Sequence, residues 1–325
     1  MEFDEPGSDG TTSTQMEKFE GPEKKLEIRF SFPQTGMRGN ADGRWTRVVR
    51  ACGAEIIKVS QTHCVDSYLL SESSLFVWDD RLLLITCGQT NPIFALPEIL
   101  NFVNRDQIAA VVYERKKANF PQYQKTNFGQ DRAFLDRYFS GCSTRLGQPS
   151  HDYLDVYYYS APDSTGVADA TLQMLMHDIY PATGDAFIYS NRGNDRQLKT
   201  LLSLYAICNG SSLDSHFFYP QGYSLNGISG RDYVTLHVTP QKEASFVSFG
   251  TNAVNIVYDE VIRKLASLFR PACFSVVITA GLNGAGSVAG PPFSSPGTAY
   301  RLTCRGSHQF DHNYRSLFFH YQEET

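Results

Sequence analysis

SYLLSESSLFVWDD, residues 67–80, sets two apolar, strand-like runs on either side of a polar SESS tetrad. Ser and Glu between β-forming runs read as a tight turn, because their side chains bond readily to nearby backbone. Upstream, from Lys25, comes KLEIRFSF, in which Leu26, Ile28, Phe30 and Phe32 alternate with Glu27, Arg29 and Ser31. A period of two predicts a strand with one buried and one polar face. Further strands are expected at Glu55–Val59, Ser67–Leu70, Ser74–Trp78, Leu82–Thr86, Ile108–Tyr113, Leu154–Ser160, Ala186–Tyr189, Tyr233–Val238, Ser245–Phe249, Phe274–Thr279, Ala299–Cys304 and Leu317–Tyr321. Helical spacing is clearest at Ala253–Phe269 and is also read at Arg132–Phe139, Thr171–Asp178, Ile93–Val103 and Gln197–Cys208. Strands come in runs with helices in separate blocks, which predicts an α+β fold with antiparallel sheets. No tandem repeat is evident, and the Gly/Ser/Pro-rich segment 281–297 reads as a loop.

The 325 residues carry a formal net charge of -5, and 42% are hydrophobic, enough for a sizeable core. Mild acidity argues against nucleic acid as the main partner, since phosphate binding needs a basic face. No apolar run reaches the length of a membrane helix, and the polar N-terminus lacks the pattern of a signal peptide. Residues 1–18 read as a flexible tail ahead of one domain, residues 19–325. Seven scattered cysteines with no CxxC pair point away from zinc and from a disulfide framework, and towards free thiols in a reducing, cytoplasmic compartment.

The chemistry-bearing residues are individually weak. Phe19, Glu20 and Glu23 sit in FEGPEKKLEI, where a charged turn is the bland reading. Cys87 ends the apolar run LLLITCG, and lone cysteines are more often buried structure than reactive thiols. Phe218 and Ser224 flank the Pro/Gly turn of FFYPQGYSLNG, and His237 lies in YVTLHVTP. Within SESS, a serine hydroxyl beside a strained peptide link could attack the preceding carbonyl.

Taken in order, FEGPEKKLE, YLLSESSLFV, LITCG, GYSLNG, LHVTP and SFVSF closely resemble the eukaryotic S-adenosylmethionine decarboxylase family, from about Phe19 to Phe269. The resemblance implies a four-layer αββα sandwich: two antiparallel sheets face to face with helices outside. It also implies a proenzyme that cuts itself between Glu72 and Ser73 into a β chain, residues 1–72, and an α chain, residues 73–325. By this likeness Ser73 attacks the Glu72 carbonyl, His237 removes the α-proton of the resulting ester, Ser224 assists, and position 73 becomes a pyruvoyl group. That self-made cofactor is the electron sink for decarboxylating S-adenosylmethionine, with Cys87 returning a proton to the substrate carbon. Phe19 and Phe218 match aromatics that sandwich the adenine. Glu20 and Glu23 match active-site carboxylates, and Glu72 lines the site as the new C-terminus of the β chain. No metal is implied. Relatives occur as single αβ units and as homodimers, which leaves oligomeric state open.

Several positions depart from the family pattern. The carboxylate that follows HVTP and holds the ribose is Gln241 here, and CGYS reads QGYS with Gln221. In the diamine-activation site of animal relatives, Glu27, Asp169 and Thr171 match, but Gln173, Gly250 and Ile85 replace charged residues. Diamine stimulation is therefore expected to be weak or absent. Gln241, Gln221 and Gly250 motivate an alternative, a weakened paralogue acting as the regulatory subunit of another decarboxylase. A Cys-His hydrolase built on Cys87 and His237 is a third reading, though it explains neither SESS nor the order of the blocks.

Overall fold

The computed structural model describes residues 22–71, 73–162, 164, 170–208, 211–253, 256–281, 299–310 and 314–324. Phe19, Glu20, Glu72, Asp169 and almost all of the 281–297 loop lie outside them. The first sheet holds β1 (Lys24–Phe30), β2 (Ile56–Gln61), β3 (Val65–Leu70), β4 (Ser73–Trp78), β5 (Arg81–Thr86), β6 (Ile108–Lys116), β7 (Cys142–Gly147) and β8 (Tyr153–Ser160). The second holds β9 (Thr171–His177), β10 (Ser212–Phe217), β11 (Tyr223–Ser229), β12 (Asp232–Thr239), β13 (Phe246–Thr251), β14 (Cys273–Gly281), β15 (Tyr300–Gln309) and β16 (Tyr314–Glu323). Every neighbouring pair is antiparallel.

Strand order is β2-β3-β4-β5-β1-β6-β8-β7 in one sheet and β10-β11-β12-β13-β9-β14-β16-β15 in the other. The second order is the first with every number advanced by eight. The two halves thus repeat one topology, a repeat that residue-by-residue reading of the chain does not reveal.

The helices α1 (Arg44–Ala51), α2 (Leu96–Leu100) and α3 (Phe128–Leu135) cover the outer face of the first sheet. On the second, α4 (Pro181–Gly184), α5 (Asp195–Ile207) and α6 (Tyr258–Phe269) lie on the same side as its outer apolar cluster. In β1, Leu26, Ile28 and Phe30 pack under helices as their spacing predicts. The polar alternates Lys25 and Glu27 do not face water, however; they are buried between the sheets. The inter-sheet layer therefore holds two apolar clusters, one around Leu175, Phe246 and Phe318 and one around Phe76, Trp78 and Tyr233. A charged seam accompanies them, in which Lys25 meets Glu114 at 2.7 Å and Arg29 meets Glu27 at 2.7 Å.

Two expectations fail. Thr171–Asp178 is the central strand β9, not a helix. Its Leu and Met residues favour helix intrinsically, but the strand is paired on both edges, with β13 and β14, and buried on both faces, Leu172, Met174 and Met176 in the outer core and Gln173 in the seam, so neither face meets water. Ala186–Tyr189 is not a strand; Asp185–Phe187 and Tyr189–Asn191 are short 3-10 turns that bury Ala186 and Phe187 against the outer core. Strands β7 and β10, polar and partly exposed edge strands, were not expected, and neither was the buried β11, whose Ser, Asn and Gly residues read as a turn.

One buried ion cluster ties the first sheet to its helical cover. Asp131, fully buried in the first turn of α3, accepts from Arg115 Nη1 at 2.5 Å, Tyr113 Oη at 2.6 Å and Asn91 Nδ2 at 2.9 Å. Removing one partner of a buried pair strands the other charge. Asp131→Ala is expected to cost about 3 kcal/mol, read as a lower denaturant midpoint with unchanged slope. A midpoint equal to wild type would show the cluster to be energetically neutral.

Candidate active site

Two adjacent strands of the second sheet build one wall of the site. In YSLNG and VTLHV, residues two apart share a face. The β11–β12 register sets Ser224 opposite His237 and Asn226 opposite Thr235. All four side chains are buried. Ser224 Oγ lies 2.8 Å from His237 Nδ1, while Nε2 lies 2.9 Å from Thr235 Oγ1 and 3.1 Å from Ser74 Oγ. Burial pushes the His237 imidazole down to a pKa of about 3, so the ring is neutral and able to accept a proton at ordinary pH.

The first sheet supplies the other wall. Ser73 opens β4 with φ 144°, in a region that residues with a side chain rarely occupy. Such strain costs on the order of 1–3 kcal/mol and persists only where surrounding structure enforces it. Ser73 is 2% exposed, and its Oγ lies 3.1 Å from Cys87 Sγ. Cys87 follows β5 and is held by its turn: the Thr90 hydroxyl donates to the Cys87 carbonyl at 2.5 Å, and Lys24 Nζ donates to the Gly88 carbonyl at 2.8 Å. Gly88 has φ 61°, which explains the glycine of TCG.

Between the walls opens a cavity of about 420 Å³, lined in part by Ser73, Cys87, Phe218, Ser224, His237 and Gln241. Sequence reading picked out all six separately, and the fold brings them together. Gln221 also lines it. Glu23 does not. It is buried in the seam, where Gln173 Nε2 donates to it, and burial raises its pKa above the usual carboxylate range. Sequence reading missed Ser74, Asn226 and Thr235, although the i, i+2 spacing of Asn226 from Ser224 and of Thr235 from His237 was available as a signal; Ser74 comes from the other sheet and had none. It also missed Tyr219, which is 83% exposed at the cavity rim beside Phe218.

The strain, the hydroxyl–thiol contact and the neutral buried imidazole suit a chain that rearranges its own backbone at position 73. They equally suit an electrophile at that position, with a thiol beside it at the edge of a substrate-sized cavity.

The architecture is a duplicated, four-layer αββα sandwich. A crystal structure of a Trypanosoma brucei AdoMetDC monomer shares this fold, with a TM-score of 0.61 and 24% identity over 77% of this chain and 99% of that one. The adenosylmethionine decarboxylase profile matches residues 16–322. S-adenosylmethionine decarboxylase proenzymes from Xenopus laevis (33% identical, covering 79% of this chain and 81% of that protein) and Drosophila melanogaster (33%, 81% and 82%) are similar to it. So is the proenzyme of Dictyostelium discoideum, at 29% identity over 94% of this chain and 86% of that protein. The chain belongs to the adenosylmethionine decarboxylase family.

Proposed function

We propose that the chain is a self-processing decarboxylase of S-adenosylmethionine whose electrophile is a pyruvoyl group made from Ser73. The observation that carries this is the strained, buried Ser73 sharing one cavity with Cys87, Ser224 and His237. In processing, Ser73 Oγ bonds to the Glu72 carbonyl carbon as the Glu72–Ser73 C–N bond breaks. The hydroxyl proton passes to the freed amine. Conversion of a strained amide to an ester relieves the backbone that holds Ser73 at positive φ. His237 then takes the α-proton of residue 73, the Glu72 carboxylate leaves, and water hydrolyses the resulting enamine to a ketone with loss of ammonia.

The pyruvoyl group, once formed, supplies an electron sink for the electrons left when carbon dioxide departs. This chain's residues do the rest. Phe218 offers an aromatic face to the adenine and to the sulfonium charge. Gln241 bonds the ribose hydroxyls, though without the charge of a carboxylate. Cys87, close to Ser73 Oγ, is placed to hand a proton to the substrate carbon. Phe19, Glu20 and Glu72 complete the site in this reading, while Glu23 acts from the seam, through its bond to Gln173. The β and α chains remain associated as one αβ unit, because each contributes strands to the first sheet.

Intact mass and a denaturing gel test this reading, together with carbon dioxide release from S-adenosylmethionine. Two fragments, a reactive ketone on the larger, and decarboxylation are expected. A single uncut chain without activity would favour the regulatory-subunit reading instead, for which Gln241, Gln221 and Gly250 are the only residues that speak.

Diamine is not expected to stimulate. Gln173 and Gly250 face each other across β9 and β13, and Ile85 is apolar and buried. The seam already carries its own cations: Arg81 lies 4.0 Å from Glu27, and Lys25 is paired with Glu114. Burial alone would lower the Lys25 pKa, but the adjacent Glu114 carboxylate raises it, so the ammonium stays charged. A dication entering this seam meets like charge and finds fewer carboxylate partners. Activity at saturating substrate should be equal with and without putrescine; a several-fold rise would contradict this.

A further inference from the structure

We infer that Asn226 is a positioning residue that fixes the tautomer of His237, leaving Nδ1 as the basic nitrogen and Nε2 as the protonated one. The inference rests on the reading of His237 as the processing base.

The logic is one of donors and acceptors. Asn226 Nδ2 points to the backbone carbonyl of Tyr68 at 3.3 Å and to Ser67 Oγ at 3.2 Å. A carbonyl oxygen only accepts, so the amide nitrogen must lie on that side. The other end is therefore Oδ1, which also only accepts. Two hydroxyls face it, Ser74 Oγ at 2.6 Å and Thr235 Oγ1 at 3.1 Å. Its two lone pairs take both hydroxyl protons. Each hydroxyl then presents lone pairs, not hydrogen, to His237 Nε2. Were Nε2 bare, it would face oxygen lone pairs in a buried space, or Thr235 would turn its proton away and leave two acceptors 3.1 Å apart. The first leaves Nε2 without a donor, and the second replaces one of the two hydrogen bonds on Oδ1 with a contact between lone pairs. Protonated Nε2 gives every member a hydrogen bond, its proton lying between the Ser74 and Thr235 oxygens, which are themselves 3.2 Å apart. Nδ1 keeps its lone pair and accepts from Ser224 Oγ.

The arrangement spans both sheets. Ser67, Tyr68 and Ser74 come from the first, Asn226, Thr235 and His237 from the second. Correct packing of the sheets thereby sets the protonation pattern of the base. It also separates the last two serines of SESS: Ser73 is the reacting hydroxyl, and Ser74 relays the acceptor character of Asn226 to the imidazole.

Ring-nitrogen NMR of histidine-labelled protein tests this, alongside the rate of chain cleavage after rapid refolding. Wild type is expected to show an unprotonated Nδ1 and a protonated Nε2 for His237. Asn226→Ala frees both hydroxyls to donate to Nε2, so mixed tautomers and cleavage slower by on the order of a hundredfold are expected. Asn226→Asp, held neutral by burial and protonated on the oxygen that faces the Tyr68 carbonyl, keeps the acceptor towards Ser74 and Thr235, so it should retain the wild-type tautomer and recover most of the rate lost in the alanine variant. A protonated Nδ1 in wild type would overturn the inference even if both variants fail to fold. So would an alanine variant with wild-type tautomer and rate. An uncut wild-type chain with protonated Nε2 would uphold the tautomer while refuting self-processing, so the two readings fail separately.

Discussion

A Ser73→Ala chain is expected to stay whole indefinitely, a single 36.4 kDa band where wild type gives two fragments. Without the hydroxyl there is no oxygen to receive the Glu72 acyl group, and an ordinary amide does not break on this timescale. The variant should still fold. Ser73 Oγ makes one contact within the described residues, to Cys87, and the backbone strain at φ 144° is the same for alanine. The unfolding free energy should lie within about 1 kcal/mol of uncut wild type, which separates lost chemistry from lost structure. No ketone should be trapped on the variant by hydrazine. Two fragments from Ser73→Ala would place the scissile bond elsewhere and remove the basis of the proposed cofactor.

Replacing His237 is the second large effect. Proton transfer by a positioned base is worth about a hundred- to ten-thousandfold, so His237→Ala should accumulate uncut chain or its ester, which hydroxylamine would cleave. The pH dependence follows from burial. The imidazole is neutral down to a pKa of about 3, against an ordinary 6.5. Between those values it does not titrate in the fold, so the cleavage rate should show no inflection near pH 6.5. Stability should behave differently. The unfolded histidine binds a proton below about 6.5 and the buried one does not, so the unfolded state gains protons as pH falls. The contribution is therefore present above 6.5 and lost on acidification towards 3. His177, also pushed by burial to about 3, acts in the same direction. From about pH 7 to about pH 5, each should remove about 2 kcal/mol of stability. A cleavage profile that falls with a midpoint near 6.5 would mean that the base is solvated, contrary to the geometry.

Strand-forming patterns were legible where β-forming residues alternate with polar ones, as in β1 and β12, and were missed in β11, where Ser, Asn and Gly dilute the alternation. They misled where both faces are buried, as in β9, whose Leu and Met residues mimic a helix. Gln241 and Gln221 were visible as departures, and the structure places both on the cavity. Glu23 was grouped with the site because it matches a family carboxylate near the substrate, but in the fold it lies just ahead of β1, buried against Gln173 in the seam.

The chain by itself determined the strand-rich character, the SESS turn, the TCG glycine and the family of blocks that nominates Ser73, Cys87, Ser224 and His237, because these depend on local spacing and residue chemistry. Only the tertiary structure decided the repeated topology, the burial of Lys25 and Glu114, the strain at Ser73, and the neutrality and hydrogen-bond environment of His237. Those depend on which surfaces two sheets hide from water when they close on each other, and hydration and partner geometry across such an interface are not written in any one strand.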